Sequence, residues 1–88
     1  MGPEHSKLAT TLDNLATLYV QQGKCIEAEQ LYLRALRIKE RVMGMEHLKV
    51  ATTLDRLAML YMRQGEFVGA ERLRQRALAI REKARRGI

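Results

Sequence analysis

The stretch GPEHSKLATTLDNLATLYVQQG, residues 2–23, returns 42 positions later as GMEHLKVATTLDRLAMLYMRQG, residues 44–65, with most positions identical. The match continues beyond these segments, where Ala28-Glu29 lies over Ala70-Glu71. Self-similarity at a period of about 20 to 50 residues marks stacked supersecondary units. We therefore predict two tandem units, repeat one at residues 2–43 and repeat two at residues 44–85.

Each unit contains two helical patterns of apolar residues. In repeat one the first pattern recurs at three- and four-residue steps and stops at Gly23, a residue that favours the conformation closing a helix. The second pattern runs from Ile26 to about Met43, and so short a connection makes the two helices antiparallel. The same logic in repeat two predicts helices from about Leu48 to Gln64 and from about Phe67 to Arg85, with a break at Gly65. The predicted fold is all-α, with four antiparallel helices in one domain over residues 1–88.

The join between the two units leaves two topologies open. Gly2 is followed by Pro3, but its counterpart Gly44 is followed by Met45, so only a glycine interrupts the helical pattern there. Glycine costs a helix about 1 kcal/mol and proline about 3 kcal/mol. An ordinary turn at Gly44 is one prediction. The other is a continuous helix across the join, which would pair hairpins between chains in a domain-swapped dimer.

These residues resemble the tetratricopeptide repeats, and specifically the 42-residue version found in kinesin light chains and nephrocystin-like proteins. The resemblance covers nearly the whole chain. It rests on the phrases Gly2-Pro3-Glu4-His5, Leu12-Asp13-Asn14-Leu15-Ala16, Gln22-Gly23, Ala28-Glu29 and Arg34-Ala35-Leu36-Arg37-Ile38. It implies a fragment of an α-solenoid that acts as a protein–protein interaction scaffold.

The resemblance also implies a groove lined by the first helix of each repeat, which in kinesin light chains grips short peptides with an aromatic residue flanked by acids. The family's paired Asn is replaced here by Asp13-Asn14 and by Asp55-Arg56, so only Asn14 keeps an amide that can pair with a peptide backbone. Met59 and Met62 would supply an adaptable apolar lining. The predicted binding residues are Asp13, Asn14, Thr17, Gln21, Asp55, Arg56, Met59, Met62 and Arg63.

The outer end of repeat two departs from the repeat pattern. Arg74 stands where repeat one has Tyr32, a position at which the family packs a large aromatic residue against the next repeat. We interpret this end as a partial polar cap. About three repeats are usually needed to bury a continuous core, so the ends of two repeats need cover. The predicted partners are a protein or peptide, with neighbouring repeats or further copies of the chain on the ends. A minimal or engineered fragment that self-assembles without a ligand is an alternative.

Charge supports a second function hypothesis. The chain has 16 Lys and Arg against 10 Asp and Glu, a net charge of +6, and basic residues recur from Arg72 to Arg86. An acidic partner or a nucleic acid is therefore an alternative ligand, whose binding would depend steeply on salt. The few aromatic residues, Tyr19, Tyr32, Tyr61 and Phe67, occupy packing positions, so base stacking lacks a platform and we do not expect nucleic acid to be the partner.

We find no chemical site in the sequence. His5 and His47 lie in equivalent predicted loops, have no second ligand at metal spacing, and are expected to help open the first helix of each repeat. Cys25 is alone, which excludes an internal disulfide and indicates a reducing compartment, with the cytoplasm as the default. No apolar stretch has membrane-spanning length, and no secretory signal is evident. We expect no catalytic residues, no metal and no cofactor, and hence no enzyme.

Overall fold

A computed structural model describes residues 3–87, and within that range the chain forms four α-helices and no strand. Their bounds are α1 Pro3–Gln21, α2 Cys25–Met43, α3 Leu48–Arg63 and α4 Phe67–Arg85. The first two helices pack together as one hairpin and the last two as another, and α2 packs against α3 to join the hairpins. The prediction of an all-α fold with two tandem helical hairpins is confirmed.

The first helix begins earlier in the sequence than the segment Gly2-Pro3-Glu4-His5 indicated. Residues 2–5 were expected to form a loop, but α1 already begins at Pro3. Proline suits the first turn of a helix because its φ is preset and its missing N–H needs no partner there. The prediction of equivalent histidine loops is therefore wrong for His5, which lies inside α1. It is confirmed for His47, whose Nδ1 accepts the backbone N–H of Lys49 at 3.0 Å and caps α3.

Glycines with positive φ end the helices. Gly23 has φ +80°, and the next residue, Lys24, donates its N–H back to the carbonyl of Tyr19 at 2.8 Å. At the join between hairpins, α2 ends at Met43 and Gly44 adopts φ 96° and ψ 156° before the chain enters α3. The ordinary turn at Gly44 is confirmed, and the continuous helix across the join is wrong because this backbone conformation interrupts it.

The hydrophobic core lies between α2 and α3, with α1 and α4 packed on either side. Small residues let the helices approach closely, since Ala16, Ala28 and Ala77 are fully buried. The largest of the fully buried side chains come from α3, namely Leu54, Leu57 and Leu60. Thus α3 is covered on both sides and α1 on one side only. This arrangement leaves one flank of α1 and one flank of the second hairpin as open surfaces.

Candidate functional site

A groove with a volume of about 250 Å³ lies between the C-terminal halves of α1 and α3. Its floor contains Tyr32 of α2 and Leu60 of α3, both buried. The remaining lining residues are Thr17, Val20, Gln21, Arg56, Met59 and Arg63. Of the nine predicted binding residues, the structure therefore brings Thr17, Gln21, Arg56, Met59 and Arg63 to one surface.

Hydrogen bonds fix the floor of this groove. The Thr17 hydroxyl donates to the Asp13 carbonyl oxygen at 3.1 Å, one turn earlier in α1. Its only proton is thereby used, so the Tyr32 hydroxyl, 2.7 Å away, is the donor in the bond between the two side chains. Tyr32 is held across the base of the groove, and Thr17 has no proton left to offer a ligand.

Asp13 is not part of the ligand surface, and the expectation that it would be is wrong. Its side chain is 3% exposed, and its Oδ2 lies 2.6 Å from the Lys39 Nζ. The same oxygen accepts the Thr53 hydroxyl at 3.0 Å, and the Arg56 Nη1 lies 3.5 Å away. Because Lys39 also donates to Thr53 at 2.9 Å, α1, α2 and α3 are tied together at one buried point.

The second repeat contains an exposed version of this ion pair. Asp55, the counterpart of Asp13, lies 2.7 Å from Arg81, the counterpart of Lys39, and the two side chains are 40% and 38% exposed. Asp55 does not reach the groove. It lines a second depression of about 540 Å³ on the other side of α3, together with Ala58, Met59, Met62, Arg63 and Arg74. Met62 lines the second depression but not the groove, whereas Met59 and Arg63 line both.

Asn14 is the remaining predicted contact. It is exposed on α1 but lines neither the groove nor the second depression. The single Asn that keeps the family's pattern is thus not among the residues that line the groove.

The sequence reasoning missed Lys39 and Thr53, which determine the position of Asp13. A usable signal was present, because both repeats place a basic residue 26 positions after the aspartate: Asp13 with Lys39 and Asp55 with Arg81. Opposite charges at the same separation in both copies indicate a recurring contact between the two helices of a hairpin. Thr53 carried no such signal, since its role depends on which hairpin follows.

Electrostatically the groove is cationic. Arg56 and Arg63 line it, and no carboxylate does. The Arg56 side chain is 40% exposed, so it reaches solvent while leaning towards Asp13. Met59, 67% exposed, offers an apolar and flexible surface between the two guanidinium groups. This arrangement can bind carboxylates next to an apolar side chain.

The described part of the chain was also searched for metal ligands, a reactive cysteine and membrane-spanning helices. Over residues 3–87 no three His, Cys, Asp or Glu side chains converge as metal ligands would. Cys25 is half-buried at the start of α2, packed against the core as its apolar position predicted. None of the four described helices combines the length and apolarity that crossing a bilayer requires.

Comparison with known proteins gives one informative result. A family model described as Tetratricopeptide repeat matches residues 7–83, which include most of all four helices. A search of curated proteins finds no match to the sequence.

Proposed function

The chain belongs to the tetratricopeptide repeat family, and from this premise we propose that it binds an acidic peptide segment in the groove between α1 and α3. Tetratricopeptide repeats are protein-interaction scaffolds, so the broad class of function follows from the family. The finer proposal concerns the ligand. It is supported above all by the two guanidinium groups of Arg56 and Arg63, which flank Met59 in a groove that contains no carboxylate.

The lining supports a ligand with an apolar anchor and acidic neighbours. A guanidinium group binds a carboxylate through two parallel hydrogen bonds, which fixes the ligand's orientation as well as its affinity. Met59 can repack around an apolar side chain at little cost because its three torsions are flexible. Gln21 at the groove's rim offers an amide that can donate and accept. The proposed contacts are therefore Gln21, Arg56, Met59 and Arg63.

Nucleic-acid binding through the basic end of the chain is the weaker alternative. In the run from Arg72 to Arg86, three cations are already paired with acids inside the molecule. These pairs are Arg76 with Glu40 at 2.6 Å, Arg81 with Asp55 at 2.7 Å and Lys83 with Glu46 at 2.7 Å. A pairing of this kind reduces the number of phosphates that the helix can neutralise.

Two finer assignments accompany the proposal. We assign the chain to the 42-residue subtype that resembles kinesin light chains, on the strength of its repeat period. We also treat residues 1–88 as one interaction domain, because α2 and α3 share a single core. Asn14 lies off the groove and Asp13 is buried, so the peptide pattern of kinesin light chains is not carried over to this chain.

The test is fluorescence anisotropy with a labelled ten-residue peptide that has one Trp flanked by Asp and Glu. A second peptide with Lys at the acidic positions is the ligand control. We expect saturable binding of the acidic peptide, weakened about tenfold or more by Arg63→Glu, since a hydrogen bond to a charged group contributes about 1.5 to 3 kcal/mol.

Arg37→Glu is the matched protein control, because Arg37 is exposed on α2 and lines neither the groove nor the second depression. If it weakens binding as much as Arg63→Glu does, the attraction is unspecific and the groove is not the site. Equal affinity for the acidic and the basic peptide would reject an acidic ligand. Tighter binding to single-stranded DNA than to the peptide would favour the nucleic-acid alternative.

A further inference from the structure

The molecule has two open surfaces, and the repeat relates each of them to a surface that is buried where the two hairpins pack together. We define the head face as the outer flank of α1, formed by Leu8, Thr11, Leu15 and Leu18. We define the tail face as the outer flank of the second hairpin, formed by Asp55, Met62, Arg74, Leu78 and Arg81. Each residue has an equivalent 42 positions away in the other repeat. The contact between the two hairpins therefore indicates which surface each face can bind.

The head face repeats a surface that is buried on α3. Leu8, Leu15 and Leu18 are 39%, 36% and 53% exposed, whereas their counterparts Val50, Leu57 and Leu60 are at most 1% exposed. Thr11 is exposed, and its counterpart Thr53 is fully buried against Asp13. What covers the α3 residues is the preceding hairpin. The head face thus has the chemistry of a surface that docks on such a hairpin.

The tail face repeats the surface on which α3 docks. Leu78 is 49% exposed, while its counterpart Leu36 is 7% exposed under α3. The second depression is lined by Met59, Met62, Arg63 and Arg74, which are the counterparts of Thr17, Val20, Gln21 and Tyr32 in the groove. In the groove, side chains of α3 form the opposite wall. Within the described residues nothing forms that wall at the tail face.

The polar contacts between the hairpins provide the specific argument. Thr53 donates to Asp13 at 3.0 Å, Tyr61 donates to Glu29 at 2.8 Å, and Arg76 Nη2 lies 2.6 Å from Glu40. Moving each pair by one repeat gives a pair between the first hairpin of one molecule, which carries the head face, and the second hairpin of another, which carries the tail face. Every partner residue is present in the sequence. The shifted pairs are Thr11 with Asp55, Tyr19 with Glu71 and Arg34 with Glu82.

We propose that the head face of one molecule docks on the tail face of a second copy of this chain, with the geometry by which the second hairpin docks on the first. The proposal goes beyond peptide binding, and Met59 and Arg63 border both the groove and the second depression. Charge complementarity supports a second copy as the occupant. Arg34 and Glu82 have opposite charges, and neither forms an ion pair with another described residue. Because head and tail are different surfaces, each addition leaves one of each open, and the assembly grows in rows.

Arg74 makes the contact between copies weaker than the contact within one chain. In the groove, its counterpart Tyr32 is 3% exposed and is enclosed by α3. Burying a guanidinium group there is unfavourable because it loses hydration, and Asp55, the carboxylate of the second depression, is already paired with Arg81. Association is therefore expected at high protein concentration, and Arg74→Tyr should strengthen it by about tenfold or more.

The experiment is sedimentation equilibrium on three single variants and on a mixture of two. Leu18→Glu blocks the head, and Leu78→Glu blocks the tail. Val68→Glu is the matched control, since Val68 is 72% exposed and its counterpart Ile26 stays 68% exposed beside the second hairpin. Wild type and Val68→Glu should increase in mass with concentration. Each blocked variant alone should stay monomeric, and an equimolar mixture of the two should form a dimer that does not grow.

Other outcomes overturn the proposal. If Leu78→Glu alone still dimerises, the contact is a symmetric one between two heads. If a closed dimer survives both substitutions, the chains associate through another surface. If Arg74→Tyr is monomeric at millimolar concentration, the tail face binds another repeat and not a second copy of this chain.

If circular dichroism shows that either glutamate variant is unfolded, Arg34→Glu and Glu82→Arg replace the two variants. Each of these alone should weaken association, and their mixture should restore it.

Discussion

The Lys39 ammonium lies 2.6 Å from the Asp13 carboxylate, with only 7% and 3% of the two side chains exposed, at the point where both hairpins meet. Lys39 belongs to α2 and Asp13 to α1, and the hydroxyl of Thr53 on α3 bonds to both. A buried charge is tolerated only when it is paired and hydrogen-bonded. The contact therefore joins the first hairpin to the second in one register, because sliding α3 would remove Thr53 from the pair.

The first prediction concerns the stability provided by this pair. Asp13→Ala should lower the free energy of unfolding by about 3 to 5 kcal/mol, since it leaves the Lys39 charge buried without a partner. A domain of this size has only a few kcal/mol of net stability. We therefore expect the variant to be largely unfolded at room temperature. Urea denaturation followed by circular dichroism measures the change.

The second repeat offers the control for that prediction. Asp55→Ala breaks the equivalent ion pair with Arg81, whose side chains are 40% and 38% exposed, so the loss should be about 1 kcal/mol or less. Replacing both charges by apolar residues, Asp13→Leu with Lys39→Met, should recover much of the stability that Asp13→Ala removes. Equal losses at Asp13 and Asp55 would contradict the role assigned to burial.

The contrast between Asp13 and Asp55 shows how far the sequence determines the structure. The four helices follow from apolar periodicity and from the glycines between them, because these are local properties that each repeat displays twice. Both aspartates follow the same segment, Ala-Thr-Thr-Leu, so both were predicted to face the groove. They differ because a hairpin follows the first and none follows the second within the described residues. Burial at such a position depends on stacking, which no local pattern encodes.

The second prediction concerns the ionisation of Tyr61. Partial burial, the hydrogen bond to Glu29 at 2.8 Å, and the negative charges of Glu29 and Glu66 raise the pKa of Tyr61 to about 12. Because folding favours the neutral hydroxyl, the stabilisation is complete below the ordinary tyrosine pKa of about 10. It is lost as the pH rises through the folded-state value. Absorbance of tyrosinate, titrated in wild type and in Tyr61→Phe, isolates this group by difference.

Glu29→Gln separates the causes of that shift. It removes the carboxylate charge but keeps an oxygen that can accept the Tyr61 hydroxyl proton. We expect the pKa of Tyr61 to fall and to remain above its ordinary value, because the burial persists. A titration curve identical to that of wild type would show that Glu29 does not act on Tyr61.

In Tyr61→Phe the hydrogen bond between the hairpins is absent, and the free energy of unfolding should drop by about 0.5 to 1.5 kcal/mol.

The third prediction concerns the start of α3. His47 Nδ1 accepts the N–H of Lys49 at 3.0 Å, which satisfies one of the backbone donors left free at a helix start. His47→Ala should therefore cost about 0.5 to 2 kcal/mol, and His47→Ser should preserve most of the stability because its hydroxyl can take over the cap. Thermal unfolding of the three proteins measures this. His5→Ala is the control, since His5 lies inside α1 and should change the midpoint little.

The fourth prediction concerns Gly44, where the two hairpins separate. Its φ of 96° and ψ of 156° lie in a region that only glycine occupies without strain, at a cost of about 1 to 3 kcal/mol for other residues. Gly44→Asn should therefore destabilise the protein more than Gly23→Asn does, because Gly23, with φ +80°, lies near the left-handed region that asparagine tolerates.

Gly44→Ala should also remove the helix breaker at the join between the two hairpins. Relief of that strain favours a continuous helix and a closed, domain-swapped dimer, which light scattering distinguishes from growing rows. An alanine variant as stable and as monomeric as wild type in dilute solution would show that the turn is held by its neighbours and not by the glycine.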